Sequence, residues 1–151
     1  LYHPDGMCVM LRNAMDGQAN LVRTNGYSMI SPWFPAGPGQ IYDYCFHGVP
    51  DSTYSKPCIF SPNLDVTFSP GKHRICVNGK VEQYYHPQTK LLHYRYFGRD
   101  WLKRRNKRNA DGLPERAEEL GWGWHVRENN TGMYSADWYE QQNVERVVWT
   151  S

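Results

Sequence analysis

The chain has 151 residues, 40% of them hydrophobic, and a formal net charge of +2 at pH 7. That length supports one ordinary core, so a single domain over residues 1–151 is expected. So small a positive excess speaks against a long nucleic-acid footprint, and no apolar run approaches the ~18 residues of a membrane helix. No charged-then-apolar leader opens the sequence, and the four cysteines Cys8, Cys45, Cys58 and Cys76 stand singly without a C-x-x-C pair. Together these features point to reduced thiols in a cytoplasmic protein and away from a zinc ribbon.

In chain order, Pro4 and Asp5 open a short helix with Cys8, Met10, Leu11 and Met15 on its apolar pattern and Gly17 as its stop. "NLVRTNGYSMIS" follows as one strand, or two around a turn at Asn25-Gly26. Between residues 31 and 50, Pro32, Pro35, Pro38 and Pro50 with Gly37, Gly39 and Gly48 forbid a long helix. A loop of that length inside a compact domain is more often functional than idle.

"KPCIF" and "DVTFS" read as short strands, and residues 74–85 as a hairpin turning at Asn78-Gly79, a pair suited to a type I′ turn. "KLLHYRY" reads as a further strand whose period-two alternation sets Leu92, Tyr94 and Tyr96 on one face and Leu91, His93 and Arg95 on the other. Gly98 then breaks the strand, and Asp100 caps a basic helix running to about Asn109. "PERAEEL" reads as a second short helix, and the Trp- and Tyr-rich tail beyond it as irregular packing without a clean period. The fold class expected is α+β: a mixed β-sheet with a β-hairpin and two or three short helices.

Three groups of residues carry chemistry. Arg99, Lys103, Arg104, Arg105, Lys107 and Arg108 cover most of the basic helix, leaving Trp101, Leu102 and the preceding Phe97 as its apolar anchor. Such a helix is either a solvated surface or a binder of phosphate, whether a nucleotide diphosphate, an anionic lipid surface or nucleic acid. Among the six histidines, none has the spacing of a metal pair. His93 stands out for its place at a strand end beside Arg95 and before a glycine, where sites on open sheets collect. His73, in "SPGKHR", adjoins a Pro-Gly turn and is placed to approach the same region. The third group is the loop "QIYDYCFHGVPDSTYSKPCIF", with Asp43, Asp51, Tyr42, Tyr54 and Lys56. A carboxylate there serves either as general base toward a hydroxyl, with tyrosine rings for sugars to stack on, or as a turn cap.

Taken together, "GQIYDYCFHGVPDSTYSKPCIF", "FSPGKH", "LLHYRYFGRDWLKRRNKRNA" and "GWGWH", in that order, resemble the C-terminal half of bacterial family 2-type glycosyltransferases with a GT-A fold. The resemblance covers most of residues 1 to 125. It implies the C-terminal portion of a GT-A-like α/β fold, a nucleotide-sugar donor, a glycan or other hydroxyl acceptor, and Mn²⁺ or Mg²⁺ on the diphosphate. It matches His93 to the family's late metal- or diphosphate-binding histidine and sets Arg95 near the leaving diphosphate. Asp51 becomes the candidate base, and Tyr54, Lys56 and His73 candidate substrate contacts. The acidic motif that would hold the metal falls before "LYHPDG" in that family, so the nucleotide-binding half is expected to lie outside this chain and the isolated chain to transfer sugar poorly or not at all. The basic helix remains a contact for a membrane surface, and a non-catalytic glycan- or phosphate-binding module is the alternative.

Overall fold

A computed structural model of the chain describes residues 4–17, 19–69, 74–127 and 129–148. The fold is α+β, as the sequence leads one to expect. Its elements run α1 (Pro4–Asp16), β1 (Leu21–Ser31), β2 (His47–Pro50), β3 (Pro57–Phe60), β4 (Asp65–Phe68), β5 (Ile75–Asn78), β6 (Gln83–Phe97), α2 (Arg99–Asp111), α3 (Ala136–Glu140) and β7 (Glu145–Arg146). Strands pair in the order β3-β1-β2-β7, with β6 beside β1, and β4 and β5 form a separate two-stranded sheet. None of the described helices is long and apolar enough to cross a membrane. Contacts group the chain into two units: the residues up to Ser28 with Pro50–His93, and Met29–Val49 with the chain from Tyr94 onward.

In the first unit, α1 turns its small residues inward. Ala14 packs with Val22, and Leu11, Ala19 and Ile59 close around them. Met15, expected on the apolar face, is instead 76% exposed, and Cys8 is exposed too. The stripe therefore runs through positions 11 and 14, one turn apart and on a single face of the helix. Next, β1 is continuous through Asn25-Gly26 and pairs antiparallel with β3, Leu21 opposite Phe60 and Val22 opposite Ile59. Of the two readings open for this stretch, one strand or two around a turn, the single strand is the one found. Gly26 is needed there for another reason: a Cβ would lie 2.2 Å from the Tyr54 carbonyl carbon and 2.4 Å from the Ser55 nitrogen. A strand glycine here marks close approach of a second backbone.

The hairpin expected over residues 74–85 is also corrected. β5 pairs back onto β4, with Val66 opposite Val77 and Phe68 opposite Ile75, and Gly79 ends β5 at φ +121. The two runs match in length and in their in-out alternation, so a four-pair ladder with Val66–Val77 and Phe68–Ile75 on one face outweighs the local turn preference of Asn-Gly.

In the second unit, Gly98 separates β6 from α2 at φ +82, and a Cβ there would meet the Pro32 carbonyl oxygen at 2.4 Å. Gly98, not Asp100, is the residue that caps α2; Asp100 sits inside the first turn, where its charge complements the helix dipole. Phe34, Phe97 and Trp101 anchor the helix through ring contacts of 5.1, 6.1 and 4.9 Å, with Leu102 buried beneath. "PERAEEL" forms only a 3₁₀ turn at Glu115–Ala117. The tail is more ordered than its sequence suggests. Ser135 caps α3 by accepting the Trp138 N–H at 3.1 Å, and β7 pairs with β2, His47 opposite Arg146. Tyr134 and Tyr139 are core residues, and Tyr96 stacks on Tyr139 at 4.8 Å.

Candidate functional site

Residues 51–56, just after β2, are sewn onto β1 of the first unit. The Asp51 N–H donates to the Gly26 carbonyl at 2.8 Å, Gly26 N–H donates to Ser55 Oγ at 3.0 Å, and the Thr24 hydroxyl donates to the Lys56 carbonyl at 3.1 Å. Asp51 caps the 3₁₀ turn Ser52–Tyr54: its Oδ1 accepts the Thr53 N–H at 3.1 Å, while its Oδ2 accepts the Ser28 hydroxyl at 2.7 Å. This is the turn-cap role that the sequence left open beside the general-base role.

The turn delivers Tyr54 to His93. The two rings stack with centroids 3.7 Å apart and planes 23° from parallel, and the Lys56 ammonium lies 5.6 Å from the Tyr54 ring centre. Tyr54 is buried and His93 half-buried. Four of the residues singled out in the sequence, Asp51, Tyr54, Lys56 and His93, thus share one unit and one neighbourhood. An imidazole and an ammonium beside an aromatic face can meet phosphate oxygens and the flat side of a sugar ring. Asp43 lies in the other unit and accepts the Gln40 N–H at 2.7 Å, a turn cap at an exposed site. His73 lies outside the described residues.

Arg95 belongs to the second unit and is 2% exposed. Its guanidinium stacks 5.2 Å from the ring of Tyr134, a residue held at φ +66. Among the described residues, its Nε and Nη2 find no hydrogen-bond partner. A buried cation without a counter-charge costs several kcal/mol, and non-glycine backbone at positive φ adds strain. The neighbouring Tyr94 hydroxyl is likewise buried without a partner, and burial pushes its phenol well up.

Mn²⁺ or Mg²⁺ needs several oxygen or nitrogen ligands held together. Among the described residues no three His, Cys, Asp or Glu side chains gather to hold a cation, and His93 presents its ring face to Tyr54. These residues alone do not fit a metal site. Cys8, Cys45 and Cys76 are free thiols, and burial raises Cys45 to about 11.

Sequence reasoning missed Ser28, Thr24 and Gly26, the β1 residues that hold the loop. The cue available was Asn25-Gly26 itself, which reads equally as a turn. No protein-family model, curated protein or solved structure matches the chain.

Proposed function

We propose that the chain is the acceptor-side part of a GT-A-type glycosyltransferase that moves a sugar, with inversion, from a nucleotide-sugar donor to a hydroxyl acceptor in the cytoplasm. The observation that supports this reading is the Tyr54–His93 stack at 3.7 Å with the Lys56 ammonium beside it, all on one loop and one strand. Lys56 and His93 neutralise charge on the leaving nucleoside diphosphate, and fixed donors of this kind need no reorganisation as that charge grows. Asp51 is the base candidate. To act, it exchanges the Ser28 hydroxyl at 2.7 Å for the acceptor hydroxyl and takes that proton as the sugar carbon is attacked. The nucleotide-binding half and the metal ligands of such an enzyme belong to another segment or chain, and no step here depends on a metal.

The test is calorimetric titration of the chain with uridine and guanosine diphosphate. One of them binds, and His93→Ala and Lys56→Ala each weaken it about tenfold, ~1.4 kcal/mol. Failure of both nucleotides to bind, or an affinity that neither substitution changes, overturns the reading.

A further inference from the structure

A groove of about 1030 Å³ lies wholly within the second unit. One wall is the face of α2 that carries Lys103, Asn106 and Lys107, and the other includes Arg127, Asn130 and Ser135. We propose that this groove binds an anionic saccharide, a chain of hydroxyl-bearing rings carrying carboxylate or phosphate. The proposal goes beyond the transferase reading and stands on the second unit alone.

Three observations converge on that ligand. The first is charge. Arg99, Lys103, Lys107 and Arg127 outnumber Asp100 and Asp111 along the lining. Arg99 is held by Asp137 and Glu140, Arg127 by Glu118, and Lys107 by Asp111 at 3.4 Å. Lys103 forms no ion pair among the described residues, so its ammonium remains for a ligand. The second is an unmet polar atom: Asn106 Oδ1 is buried and finds no hydrogen-bond partner among the described residues. A hydroxyl both donates and accepts, so it satisfies either orientation of the amide, whereas a fully ionised phosphate ester only accepts. The third is shape. The volume stands at the upper end of the ~300–1,000 Å³ of ordinary ligand pockets, far larger than one phosphate requires. A concave groove also excludes the flat phosphate plane of a bilayer. Beside it in the chain, Trp124 leaves 48% of its surface exposed, an aromatic face of the kind sugars stack on.

The experiment titrates the chain with trigalacturonate, glucose 6-phosphate, maltotriose and a short single-stranded oligodeoxynucleotide. Trigalacturonate or glucose 6-phosphate is expected to bind at least about tenfold more tightly than maltotriose, and the stronger of the two tells carboxylate from phosphate. Lys103→Ala weakens that binding about tenfold. Asn106→Ala weakens it too while leaving the unfolding temperature the same or higher, because the atom removed has no partner to lose. His93→Ala leaves saccharide binding unchanged, which separates failure here from failure of nucleotide binding. Equal affinity for maltotriose, indifference to Lys103→Ala, or a lower unfolding temperature in Asn106→Ala overturns the proposal. Preferential binding of the oligonucleotide with a steep salt dependence overturns it as well.

Discussion

Asp51 in the first unit and Arg95 in the second are buried almost equally, 5% and 2% exposed, yet they are provided for in opposite ways. Asp51 receives the Ser28 hydroxyl and the Thr53 N–H before any ligand arrives. Arg95 has only the Tyr134 ring, with Nε and Nη2 unmet among the described residues. A buried charge with its partners in place shapes the chain. One without them carries an energetic debt that ligand binding can discharge, which is where function is to be sought.

The contrast can be broken first at the glycine that lets the loop reach β1. Gly26→Ala forces a Cβ to within 2.2 Å of the Tyr54 backbone, so the two chains must part. The substitution is expected to cost about 3 kcal/mol or more in urea unfolding and to disrupt the Tyr54–His93 stack with it. Ser28→Ala comes next. Removing one partner of a buried carboxylate costs about 2 kcal/mol, read as a lower midpoint with an unchanged slope. Arg95→Met sharpens the comparison with the opposite sign: stability unchanged or raised by about 1 kcal/mol, because an unpaired charge gives way to an apolar side chain of similar length. A loss as large as that of Ser28→Ala would make Arg95 an ordinary structural residue.

The smallest effect lies at the surface of the second unit. The Arg99 guanidinium first, then the Tyr96 hydroxyl at 2.5 Å, hold Glu140 below its usual carboxylate range. A carboxyl lowered on folding contributes stability above its unfolded value of about 4.5 and loses it as pH falls through the lower folded value. Glu140→Gln should therefore flatten the acid limb of a pH–stability profile below about 4.5. High salt should shrink the difference, since the cluster faces solvent.

Some of this was legible in the sequence and some was not, for physical reasons. α1, α2, β3 and β4 follow from local period and punctuation, and Gly98 marks the end of β6 because its φ of +82 suits glycine. No hairpin turns at Asn78-Gly79 because β5 pairs instead with the strand before it, β4, whose alternation matches its own. The tail looked structureless because Tyr96, Tyr134, Trp138 and Tyr139 find their packing in one another rather than in a repeating pattern. At the site, Asp51, Tyr54 and Lys56 stood out because a Pro- and Gly-shaped loop gathered them. Ser28 and Asn106 did not, since a lone small polar residue shows its worth only through the atom it faces or lacks.

The most direct measurement follows the His93 imidazole and the Asn106 side-chain amide by NMR in two titrations of the same chain. Uridine or guanosine diphosphate should shift His93 and leave Asn106 in place, and trigalacturonate or glucose 6-phosphate should do the reverse. A His93 signal that neither nucleotide moves would contradict the proposed division of labour, as would an Asn106 signal indifferent to both anionic sugars.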